Sequence, residues 1–173
     1  MECDNVTFAT QNTDAVWIKD AFDNHIRAFA VARGTCISQG VRQGRMTGGG
    51  SVFTSAGVRV THGFELHCDK TVGPNNLEIN WGPGNSFHLE NLTSAFCFND
   101  PAISPFPPAA GFDTYKGGGT GRLNGVPGAT AEWTFSDAGE PGRNDSARIT
   151  IKVGATTVLS ISGNLNRGNH QAH

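Results

Sequence analysis

The clearest pattern along the chain is an alternation of apolar and polar residues on both sides of a turn. Ala129, Ala131, Trp133 and Phe135 alternate with Thr130, Glu132, Thr134 and Ser136. Beyond a Gly/Pro/Asp/Asn cluster, Ala147, Ile149, Ile151 and Val153 alternate with Arg148, Thr150 and Lys152. A period of two flanking such a cluster predicts two antiparallel strands, each with one face in a core and one in water. The same period marks Val58, Val60, His62, Phe64, Leu66 and Cys68, which places a histidine on an apolar face. Leu77, Ile79 and Trp81 form a further strand between turn clusters, and Phe87 to Cys97 another, whose phase changes near Asn91-Leu92 as at a bulge.

A strand opens after the glycine run, over Gly48 to Phe53. Two short glycine-flanked strands are expected at Phe112–Tyr115 and Thr120–Leu123, and one more at Thr157–Gly163. The stretch from Asn99 to Gly111 holds four prolines and reads as a loop. About eight strands in sequence, joined by short turns, predict an all-β antiparallel meander. Its inner faces must cover one another, so it closes as a β-barrel or packs as a β-sandwich. A last strand near Asn169–His173 that returns to Gly50–Phe53 would remove both exposed edges and favours the barrel.

Residues 1–45 form a smaller N-terminal annex with two readings. Strands at Val6–Phe8, Ala15–Ile18 and His25–Val31 fit the repeated turn clusters. A helix over 14–33 would gather Ile18, Phe22, Ile26 and Phe29 on one face. The main β domain then spans residues 46–173.

Composition supports this division. Twenty-three glycines, eight prolines and 16% charged residues in 173 suit short strands and turns. The net charge of −2 gives no global case for binding nucleic acid, and no apolar stretch is long enough for a membrane span. Met1-Glu-Cys-Asp is polar and acidic, unlike a signal peptide, so Met1 reads as a start residue placed before a mature secreted sequence. Cys3, Cys36, Cys68 and Cys97 include no CxxC pair. Two disulfides in an exported protein are expected, paired Cys3–Cys36 and Cys68–Cys97, with four reduced buried thiols as the alternative.

Two groups of residues are candidate sites. In the hairpin loop, Asp137, Glu140, Asn144 and Asp145 offer hard oxygens to calcium. The same residues also close turns by side-chain to backbone hydrogen bonds. The second group is His62, His88, His170 and His173. If the last strand meets the first, His170 or His173 approaches His62 or His88, and converging imidazoles would hold copper or zinc. The alternative for His62 is a hydrogen-bonded structural histidine, since a buried imidazole needs a partner. No GxSxG, HExxH or Cys-His motif is present, so no catalytic residue is assigned.

Several segments resemble the post-COAP domain of bacterial secreted and cell-surface proteins. They are Met46-Thr-Gly-Gly-Gly-Ser51, Gly63-Phe64, Gly119-Thr-Gly121 and Asn124-Gly125. The more specific matches are Ser136-Asp-Ala-Gly-Glu-Pro-Gly142 followed by Asp145, and the ending Gly163-Asn-Leu with Gly168-Asn-His-Gln-Ala-His173. The resemblance covers about residues 46–173. It implies a secreted β domain without an established activity, and the chain departs from it in its terminal histidines and its cysteines. The expected function is an extracellular binding or assembly module whose partner is a polysaccharide, another copy of the chain or a further extracellular molecule. Its contact surfaces would be outward rows such as Arg148-Thr150-Lys152 and Thr130-Glu132-Thr134. The alternative is a small β-barrel metalloprotein or enzyme with a histidine-based site. A cavity beside His62 would separate the two.

Overall fold

A computed structural model describes residues 13–19, 26–32, 43–103 and 110–173. The chain divides into two units, Met1–Gln39 and Gly40–His173. In the first unit, β1 (Thr13–Lys19) and β2 (Ile26–Ala32) form an antiparallel pair with Thr13 opposite Ala32 and Lys19 opposite Ile26. Where a helix over 14–33 and strands were both open, two strands are therefore present and paired. The expected strand at Val6–Phe8 and the Cys3–Cys36 pairing lie outside the described residues.

The second unit is a single antiparallel sheet of nine strands curled into a half-barrel. The strands are β3 (Arg45–Phe53), β4 (Arg59–His67), β5 (Asn76–Trp81), β6 (Asn85–Phe98), β7 (Thr114–Leu123), β8 (Val126–Ser136), β9 (Ser146–Val153), β10 (Thr156–Asn164) and β11 (Arg167–Ala172). The order across the sheet is β10-β9-β8-β7-β6-β5-β4-β3-β11, so each strand from β3 to β10 lies beside its sequence neighbour. The described residues contain no helix, and hence none long and apolar enough to cross a membrane.

The alternation in the sequence is the alternation in the fold. In β8, Ala129, Ala131, Trp133 and Phe135 are buried, as are Ala147, Ile149 and Ile151 in β9 and Val60, His62, Phe64 and Leu66 in β4. The apolar ones among these join Met46, Val52, Leu77, Ile79, Phe87, Phe112, Tyr115, Leu159, Ile161 and Leu165 in one core. Burying a large apolar side chain contributes about 1.5–3 kcal/mol, which makes this inner face the main source of stability. Cys68 and Cys97 are bonded and buried with it. The phase change expected near Asn91-Leu92 is present as register shifts between Leu89 and Asn91 and between Leu92 and Ser94.

The glycine runs depart from expectation. β3 begins at Arg45, ahead of Gly48 where the strand was expected to open, and the two short strands expected around residues 112–123 are one continuous strand, β7. The reason is close approach. A Cβ on Gly117 would lie 2.7 Å from ring atoms of Trp133, whose indole fills that space across the strand pair. A Cβ on Gly50 would lie 2.6 Å from the Arg167 carbonyl oxygen of β11. These glycines make room for a large core ring and for a neighbouring backbone, so they do not interrupt the strands.

Closure also differs in detail. β11 does return to β3, with Arg167 opposite Ser51, Asn169 opposite Gly49 and Ala172 opposite Met46. It pairs there as a new outermost strand, so β10 and β11 become the two edges of the sheet. The short link through Leu165 and Asn166 joins these edges: Leu165 N–H donates to the Asp145 carbonyl and Asn166 N–H to the Ser51 carbonyl.

Candidate functional site

The β8–β9 hairpin loop and the terminal strand meet at the open edge of the sheet. Just past β11, His173 N–H donates to the Arg45 carbonyl on the β3 side. The N–H groups of His170 and Ala172 instead bind carboxylates of the loop. His170 N–H donates to Asp145 Oδ2 at 2.7 Å, and Ala172 N–H to Asp137 Oδ2 at 2.9 Å. The second oxygens turn inward on the loop itself, where Asp145 Oδ1 accepts from Ala138 N–H and Asp137 Oδ1 from Gly139 N–H. Glu140 Oε1 accepts from the side chains of Asn169 and Gln171, and Asn169 Oδ1 accepts from Gly142 N–H.

Carboxylates thus stand where another strand would supply carbonyls. Asp145 is fully buried, and burial pushes its carboxyl above the usual range against the two backbone donors that favour the charged form. Glu140 is held below its usual value by the Asn169 and Gln171 side chains. Of the oxygens expected as calcium ligands, both of Asp137 and of Asp145 and Oε1 of Glu140 accept from protein donors, and Asn144 is exposed on the loop. This geometry is the turn chemistry that competed with the calcium reading.

The histidine set divides in two. His62 on β4 and His170 on β11, 108 residues apart in sequence, meet inside the core with Nε2 to Nε2 at 2.8 Å. His170 Nδ1 lies 3.0 Å from the Ser136 carbonyl oxygen, which can only accept, so this nitrogen is assigned the proton. His170 Nε2 then accepts, and His62 Nε2–H donates to it. The protons form a directed chain from His62 through His170 to the end of β8. His62 Nδ1 is left buried without a hydrogen-bond partner among the described residues.

The surroundings keep both rings neutral. His62 stacks on Phe135 with centroids 5.1 Å apart and planes 9° from parallel, and Phe135 stacks on Phe64 at 4.3 Å. His170 stands edge-on to His62 and Phe64. Burial, reinforced by the charge His170 would carry, lowers the pKa of His62 to about 3. Burial lowers that of His170 to about 4, against the opposing effect of the Ser136 carbonyl.

The other histidines are elsewhere. His88 is exposed on the outer face, where its Nδ1 lies 4.0 Å from Glu78 Oε2 and its Nε2 3.2 Å from Ser86 Oγ. His173 Nε2 lies 2.9 Å from Thr47 Oγ1. Among the described residues, no three of His, Cys, Asp and Glu are grouped to hold a metal. Two imidazoles alone face each other at His62 and His170, and their facing nitrogens are bonded to one another.

One depression of about 290 Å³ lies between Glu140–Arg143 of the loop and Leu165–Asn169, and three others lie over the sheet. Of these three, one of about 660 Å³ is lined by His62, Gly63, Glu65, Asn76, Glu78 and His88, so a depression does lie beside His62, although His62 itself is only 6% exposed. Two others, of about 440 and 290 Å³, adjoin at Ser94, Glu132 and Thr150 over β6 to β9. Lys116 lines the first of this pair, and it carries no assignment from the sequence because β7 reads as two fragments around it. Continuing the period of two from Tyr115 through the glycines would have turned Lys116 and Thr120 outward. No protein-family model, curated protein or solved structure matches the chain.

Proposed function

We propose that the chain is an extracellular binding module of the post-COAP type that engages its partner through the outer face of the curled sheet. The observation that carries this reading is the contrast between the two faces. The inner histidines are buried, neutral and bonded to each other, and the acidic loop spends its carboxylates on β11. The outer face instead presents unburied carboxylates, amides, hydroxyls and cations around shallow depressions, the kind of surface that takes a polar polymer or another protein. The Cys68–Cys97 bond supports an oxidising location, where such bonds persist.

The test is a panel of soluble neutral and anionic polysaccharides in affinity gels, paired with sedimentation of the chain over a range of concentrations. Retardation by at least one polysaccharide, or concentration-dependent association, is the expected result. A chain that binds none of them and sediments as a monomer throughout would overturn the reading.

A further inference from the structure

The strand register assembles a basic, partly aromatic patch on the outer face of β6 to β9. Phe96, Lys116, Thr134, Arg148 and Ser162 lie side by side on five successive strands. The next outward row is Ser94, Gly118, Glu132, Thr150 and Ser160, and the one after contains Thr120, Thr130 and Lys152. Three cations therefore surround one carboxylate, Glu132, on a chain whose overall charge is −2.

None of the three cations makes an ion pair among the described residues, whereas Arg45 and Arg122 on the β3–β7 side are paired with Glu65 and Glu90. Phe96 is 40% exposed and leans on Phe98, with centroids 5.2 Å apart. Gly118 leaves the centre of the patch low, so that the depressions on either side of Glu132 open beside it.

We propose that this patch binds an anionic polysaccharide, a chain bearing carboxylate or sulfate groups; this rests on the outer-face reading above. Lys116 and Arg148 lie two strands apart, roughly 10 Å, and Arg148 and Lys152 four residues along one strand, roughly 13 Å. That span suits several sugar units, not a single small anion. Arg148 and the lysines meet the charged groups. The hydroxyls of Ser94, Thr130, Thr134 and Thr150 meet neutral sugar hydroxyls, and the Phe96 ring offers an apolar face to a sugar ring. A nucleic acid fits less well, because the central Glu132 would repel a continuous phosphate backbone and only one ring is exposed for stacking.

The experiment is affinity electrophoresis and titration calorimetry of the oxidised full chain. The probes are polygalacturonate, dextran sulfate, unmodified dextran and oligo-dT. Binding to polygalacturonate or dextran sulfate is expected, weakened by added salt, and whichever binds tighter identifies the anion as carboxylate or sulfate. Lys116→Ala combined with Arg148→Ala lowers affinity about tenfold or more. Glu132→Gln raises it about twofold to threefold by removing a like charge, a gain that misfolding cannot imitate. Glu78→Gln, in the other groove, leaves it unchanged. The proposal is overturned by oligo-dT binding tighter than both anionic glycans, or by a double variant that melts as the parent does and keeps full affinity. Dextran binding that is lost in Glu78→Gln would overturn it while leaving the binding-module reading intact; no binding to any probe, with no self-association, would remove both.

Discussion

Two buried histidines tie the stability of the fold to pH. His62 and His170 ordinarily titrate near 6.5, but the fold lowers them to about 3 and about 4. The unfolded chain therefore binds more protons than the folded one below pH 6.5, and stability falls as pH falls through that value. Each histidine contributes about 1.4 kcal/mol per pH unit in the window from about 6 down to about 4.5. Asp113 and Asp145 act in the opposite sense: burial raises both, so their ionisation costs stability as pH rises above 3.8. Urea midpoints between pH 6 and 4.5 should show a histidine contribution of up to about 2.7 kcal/mol per pH unit for the pair, partly offset by Asp113 and Asp145. His62→Phe should halve it, even though it also leaves His170 Nε2 without a donor. An unchanged slope would mean that these rings are not the titrating groups.

Gly117 is the other residue with a sharp expectation. An added Cβ would lie 2.7 Å from the Trp133 indole, which is 2% exposed and enclosed by the core. Gly117→Ala should cost about 1–3 kcal/mol or more from overpacking, read as a lower thermal midpoint with blue-shifted or broadened Trp emission. Gly63→Ala is the control, since nothing lies within 4 Å of the place its methyl group would take on the surface.

At the scale of an element, β11 is the strand to watch. It is six residues long, contains no large apolar side chain, and pairs with β3 on one side only. What holds its other side is the loop between β8 and β9, through Asp145 and Asp137. Asp145→Asn keeps one carbonyl acceptor but turns an amide N–H₂ towards a backbone donor, and should cost about 1–3 kcal/mol. Its signature is local: amide exchange at His170 and Ala172 accelerates while β8 and β9 stay protected. With its edge uncovered, the variant should also associate more readily at high concentration, because unpaired strand edges template pairing. Uniform loss of protection across the sheet would instead place Asp145 in the global core.

At the scale of the whole molecule, Cys68 and Cys97 tie the end of β4 to β6 across a sequence separation of 29. A closed loop of this size restricts the unfolded chain by about 3–4 kcal/mol. Reduction, or the paired change Cys68→Ala with Cys97→Ala, should lower the unfolding free energy by that order. The tie sits beside the Tyr115 hydroxyl, which donates to the His67 carbonyl at 3.0 Å, so the change should be felt at the core end of β4.

The sequence by itself determined which faces of the strands are buried. Trp133, Phe135, Ile149 and Ile151 follow a period of two that leaves one way to exclude them from water, and the Gly/Pro/Asp clusters limit where strands end. It also marked the hairpin loop and the terminal histidines as places of interest, and the outward rows of β8 and β9. The tertiary structure decided what those residues do. Alternation specifies a face but not the distant strand that the face will meet, so the pairing of β11 with β3 set the partner of His62 as His170 and left His88 and His173 outside. Charge and side-chain type offered Asp137, Glu140 and Asp145 equally to a cation or to backbone N–H groups. The nearness of an open strand edge, formed only when the sheet curls, gave Asp137 and Asp145 to its backbone and Glu140 to its Asn169 and Gln171 side chains. Glycine runs were the least legible, because a glycine in sequence signals a missing side chain, and only the packed fold reveals that Trp133 or a neighbouring backbone takes its place.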